Sequence, residues 1–94
     1  MNAVKGRRTE WKSRRWLEAQ GYEVVRAAGS KGVFDLIGFG YEDVVLVQVK
    51  CNRWPGPMER LAMAGFQAPP NVRREAHRWD DRAREPRIQR VEAA

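Results

Sequence analysis

Sulfur and imidazole chemistry are nearly absent from this sequence. Cys51 is the only cysteine among 94 residues, which excludes an internal disulfide. His77 is the only histidine, so no zinc cage of Cys and His ligands assembles within one chain, and a zinc finger or a His-Asn-His nuclease is excluded. No apolar run approaches the roughly 20 residues that span a bilayer. The start, Met1-Asn2-Ala3-Val4-Lys5-Gly6-Arg7-Arg8, lacks the apolar stretch and small-residue cleavage site of a secretory signal. The expected location is the cytoplasm, or the host cytoplasm if a phage encodes the chain, with no membrane contact.

What is abundant is positive charge. A formal net charge of +6 attracts polyanions, and for a cytoplasmic protein nucleic acid leads the candidates, with a merely soluble basic protein as the plain alternative. The length admits one domain, 1–94, near the lower end of what buries a self-sufficient core. Help from a partner subunit is expected.

Residues 8–20 carry Trp11, Trp16 and Leu17 among charges, contain no Gly or Pro, and stop before Gly21, which predicts a helix. Tyr22–Ala27 and Val33–Ile37 read as strands around the polar turn Gly29-Ser30-Lys31-Gly32. After a turn at 38–43, Val44–Lys50 is apolar on both alternating faces until Gln48, the pattern of a central strand covered on both sides. Trp54-Pro55-Gly56-Pro57 is a stiff loop, residues 58–66 suit a short helix, and 72–79 with 87–91 suit a closing hairpin around Asp80-Asp81.

If strands 33–37 and 44–50 form a hairpin centred between Tyr41 and Glu42, Asp35 opposes Gln48, with Cβ atoms about 5 Å apart. Lys50 then points to the same face. A carboxylate, an amide oxygen and an ammonium would thus share one end of an apolar strand, where charge is costly unless paired or used. The geometry fits two readings equally: oxygen donors for a hard cation such as Mg2+, or an ion pair at the sheet edge with Gln48 as bystander.

Glu10, Leu17, Gly21-Tyr22, Val25-Arg26, Gly29-Ser30, Gly32, Asp35-Leu36 and Gln48-Val49-Lys50, in that order, resemble archaeal-type Holliday junction resolvases of the PD-(D/E)XK superfamily over the first half of the chain. The resemblance implies an α/β (α+β) restriction-endonuclease-like fold, a central mixed sheet flanked by helices. It also implies a metal-dependent, structure-selective DNA endonuclease active in recombination and repair. Asp35, Gln48 and Glu10 would hold Mg2+, with Mn2+ substituting; Lys50 would position or activate the attacking water, and Ser30 would lie beside the scissile phosphate. Gln48 departs from the usual glutamate. An amide lends an oxygen lone pair but no charge, which predicts weaker metal binding and leaves open a catalytically weakened DNA-binding protein on the same scaffold. Taken without the pattern, Glu10 reads as an ordinary ion-pair partner of neighbouring arginines.

Lys5, Arg7, Arg8, Arg26, Lys31 and Arg53 are the expected phosphate contacts, neutralising the backbone without reading bases. Trp54 suits a stacking role at an unpaired base, but burial is the stronger expectation for it and for Trp11, Trp16 and Trp79. His77, alone in a charged strand, reads as a surface residue. A four-way junction has two-fold symmetry and is cut on two strands, so a homodimer is expected, with Leu61, Met63 and Phe66 as interface candidates or as core. An RNA-binding accessory domain is disfavoured by the lack of aromatic sheet signatures.

Overall fold

A computed structural model describes residues 3–27 and 31–94, with the side chains of 3–7 outside the description. The chain runs α1 (Ala3–Ala19), β1 (Glu23–Arg26), β2 (Leu36–Phe39), β3 (Val44–Cys51), α2 (Pro57–Gly65), β4 (Val72–Trp79) and β5 (Arg87–Val91). The five strands form one sheet in sequence order. All neighbours are antiparallel except β3 and β4, which are parallel. Parallel neighbours need a crossover, and α2 supplies it.

α1 begins earlier than Arg8 and runs through Gly6, whose cost of about 1 kcal/mol inside a helix does not break it here. It ends as the sequence predicts. Gly21 takes φ 98°, Gly21 N–H donates to Glu18 O at 3.0 Å and Tyr22 N–H to Leu17 O at 3.1 Å. That pair of bonds is a Schellman motif, which the glycine's freedom permits. α2 starts at Pro57, with Glu59 three positions in accepting the Gly56 N–H at 2.9 Å. This is half of a capping box.

Strand alternation sorts the core into two layers. Leu36, Val45 and Val47 pack with Leu17 and Val24 under α1. Leu46, Ala76, Phe34 and Val91 pack with Met63 of α2 on the opposite face. β3 is therefore central and covered on both sides, as its unbroken apolar run predicts.

β4 is the surprise of the fold. Its sequence, VRREAHRW, reads as exposed, yet Arg74, Glu75, Ala76 and His77 are buried and His77 is 0% exposed. The expectation of a surface histidine is thus overturned. Burial is possible because each polar group has a partner. Trp79 Nε1 donates to Ser13 Oγ at 2.6 Å, Ser13 Oγ meets His77 Nδ1 at 2.9 Å, and His77 Nε2 meets Glu75 Oε1 at 3.1 Å. Arg73 continues the row to Glu75 at 2.8 Å, to Tyr22 and to Asp43. Indole N–H only donates, so Ser13 Oγ accepts from Trp79, and the Glu75 carboxylate accepts from Nε2–H of His77. Burial opposes ionisation of Glu75, but the bonds from His77 and Arg73 outweigh it and hold the carboxyl below its ordinary range.

Candidate active site

The β2–β3 ladder has the register the sequence predicts, Leu36 opposite Val47 and Phe39 opposite Val44, but it begins at Leu36 rather than Val33. Asp35 sits one step before it. Its N–H donates to Val47 O at 2.8 Å and its Oδ2 accepts the Val49 N–H at 2.7 Å. The acid thus grips β3 on both sides of Gln48 instead of simply facing it. Burial raises the Asp35 pKa against the opposing pull of the Val49 N–H, Lys50 and Arg26, while Glu59 adds to the rise.

Gln48 is 5% exposed. Its Nε2 donates to Val33 O at 3.0 Å, which fixes the amide orientation, because the flipped amide would set two acceptors together. Its Oε1 is buried without a partner. An orphaned oxygen of this kind calls for an explanation, and a hard cation with Asp35 as its neighbouring ligand supplies one. Among the described residues, no three His, Cys, Asp or Glu side chains converge on one point. Asp35 and the Gln48 oxygen would offer oxygen donors of the kind taken by Mg2+, which accepts one or two carboxylates and completes its shell with water and substrate phosphate.

Lys50 has a partner that sequence reasoning missed. Its ammonium lies against Glu59 Oε2 of α2, while Glu59 Oε1 also meets Arg53 at 3.4 Å. The Lys50 hydrogen bond, followed by the Gly56 N–H, holds the Glu59 carboxyl below its usual range. Glu59 is fixed by α2, so it pins the lysine at the end of β3. Only the crossover brings these residues together, and no local pattern around Glu59 announces it.

Glu10 reaches the site from α1. It pairs with Arg26 at 3.5 Å, and Glu10, Arg26, Gly32, Phe34 and Asp35 line one cleft of about 160 Å3. Ser30 lies outside the described residues, as do the side chains of Lys5 and Arg7. Arg8 and Lys31 are exposed, Lys31 with φ 59° in the turn before β2. Arg26 and Arg53 project largely into solvent. Trp79 and Trp16 pack as expected, and Trp54 is half-buried with Arg78 and Arg87 against its ring. Trp11 does not pack: it is 56% exposed.

Residues 1–56 match the archaeal Holliday junction resolvase (Hjc) family. That is more than half of the chain, and the chain belongs to this family. The fold is similar to that of Hjc, a Holliday junction resolvase from the archaeal hyperthermophile Archaeoglobus fulgidus. The TM-score is 0.77 at 20% identity, over 93% of this chain and 73% of that one. No curated protein matches. The mixed sheet between helices is therefore the restriction-endonuclease-like fold that the residue pattern implied. The matched segment ends before α2, so Glu59 lies beyond it.

Proposed function

We propose that the chain is a metal-dependent endonuclease that hydrolyses phosphodiester bonds at four-way DNA junctions, with Mg2+ as its ion and Mn2+ as a substitute. The observation that carries this reading is the grouping of Asp35, the orphaned Gln48 oxygen and the pinned Lys50 at one end of β3. Asp35 and Gln48 would hold the ion, with Glu10 placed across the cleft. A bound ion polarises the phosphoryl oxygen and acidifies a water. Lys50, oriented by Glu59, stabilises negative charge developing on the phosphate. Ser30 is assigned beside that phosphate by the family resemblance. Lys5, Arg7, Arg8, Arg26, Lys31 and Arg53 would hold the DNA backbone.

A homodimer supplies the two sites that two symmetric nicks require. Of the residues expected at its interface, Met63 is fully buried and Phe66 packs edge-on against Phe34 at 5.2 Å, both serving the core. Leu61 stays 63% exposed and remains an interface candidate, and Met58 on the same helix, 77% exposed, joins it. The location proposed is the cytoplasm; no described helix is long and apolar enough to cross a membrane.

The test is cleavage of a labelled four-way junction beside a matched linear duplex, with Mg2+ and with Mn2+, comparing the native chain with Asp35→Ala. Paired symmetric nicks that vanish in the variant are expected. Tight, salt-sensitive junction binding without any cleavage would instead favour a DNA-binding protein weakened by the neutral Gln48.

A further inference from the structure

Trp11 is the one tryptophan that the core does not claim. It stands on α1 beside Glu10 and is 56% exposed. The Arg15 guanidinium, one helical turn on, lies 5.1 Å from the ring centroid and steadies one face. A groove of about 210 Å3 runs beside the ring, walled by Glu10, Trp11 and Arg14 of α1 and by Arg26 of β1, with Leu36 at its floor. Glu10 and Arg26 also line the cleft that holds Asp35. The two hollows therefore share a wall, and an aromatic surface edged by arginines leads directly to the acid at the site.

We propose that Trp11 is a stacking platform for a nucleobase exposed at the branch point of a DNA junction, beside the phosphate presented to Asp35. The inference rests on the resolvase reading and adds the source of structure selectivity. An intact duplex stacks its bases on one another and hides their faces, whereas strands that part at a branch interrupt the stack and expose base faces. An aromatic ring accepts any base by its π-face, so such a platform selects branched over linear DNA without reading sequence. Arg14 and Arg26 offer charge to the phosphates that flank the stacked base. The Glu10 carboxylate in the same wall is paired with Arg26, which limits its repulsion of the backbone.

The test is binding measured by anisotropy of a labelled four-way junction and a matched duplex, in EDTA, so that cleavage does not enter. Trp11 is largely exposed, and Trp11→Ala should keep the native melting temperature. It is expected to weaken junction binding about 5- to 150-fold, the equivalent of the ~1–3 kcal/mol that one base–aromatic stack contributes. Duplex binding should change less than about twofold, and Trp11→Phe should recover most of the loss. Equal losses on both DNAs, or an unchanged junction affinity, would overturn the stacking role and leave the resolvase reading standing. A native chain that binds junction no better than duplex would overturn that reading, and this inference with it.

Discussion

Replacing Gln48 by glutamate separates the metal-site reading from a structural one. The Gln48 amide does two things: Nε2 donates to Val33 O at 3.0 Å, and Oε1 is left without a partner. An ionised glutamate has no donor, so the Val33 carbonyl loses its bond while a second acceptor is set against it. Leaving a buried polar group unsatisfied costs about 1–3 kcal/mol. For a domain of this size each kcal/mol moves the melting temperature by roughly 4–8 °C, so metal-free Gln48→Glu should melt roughly 5–20 °C lower at neutral pH. A protonated glutamate can still donate to Val33 O. Its folded pKa should therefore lie above its unfolded value, and the deficit should be small at low pH and grow as pH rises through that interval. Magnesium stabilises both folded chains but favours the one that binds it more tightly, and each tenfold that the added charge takes off the Kd closes the gap by about 1.4 kcal/mol. Thermal melts in EDTA and in Mg2+ should show the gap closing, and cleavage at limiting Mg2+ should match or exceed that of the native chain. An identical deficit with and without the ion, or lost cleavage in a folded variant, would refute Gln48 as a ligand.

Asp35→Asn keeps an oxygen for the Val49 N–H but removes a carboxyl whose pKa burial raises. A raised folded pKa means stability lost as pH climbs from the unfolded value through the folded one. In EDTA the variant should thus melt higher than the native chain at pH 7 and equally below the carboxylate range, while junction cleavage disappears. Glu59→Gln preserves an acceptor for the Gly56 N–H, since glutamine also serves a capping box, but it removes the negative charge that faces Lys50. Cleavage kinetics should show a fall in kcat of about tenfold or more with KM nearly unchanged, rescued in part by Glu59→Asp. His77→Ala removes the centre of the row from Trp79 to Glu75 and strands two buried partners. A loss of about 2–4 kcal/mol is expected by urea unfolding, with cleavage at low temperature retained.

The central strand was legible because Val44–Val47 is apolar at both parities, the pattern of a strand covered on both sides. The hairpin register was legible from the turn: centring it between Tyr41 and Glu42 sets Leu36 opposite Val47, and both fall on the buried α1 face. Asp35 was found as a residue but not in its geometry, because the ladder starts at Leu36, three residues later than the β-rich run from Val33 implies. His77 was misread, and nothing in the sequence singled out Glu75. A charged strand carries no apolar signal, and its burial depends on partners in α1 and on Arg73 that become neighbours only after folding. Trp11 was misread for a reason the sequence does contain. At 3.6 residues per turn, it lies about 120° around the helix from Leu17, off the stripe of Thr9, Ser13 and Leu17 that the sheet buries.

The row that joins Ser13 to Trp79 and His77 indexes α1 along the sheet. Apolar contacts such as Leu17 on Val45 and Val47 are forgiving of direction, and a slide of one turn, about 5.4 Å, would exchange one greasy neighbour for another. A serine hydroxyl held between an indole and an imidazole admits only one seating. Glu10 stands one turn before Ser13, so its alignment with Arg26 and Asp35 is measured from a strand on the far side of β3. The second half of the chain thus acts as the ruler for the first, with the Trp79–Ser13 bond as its mark.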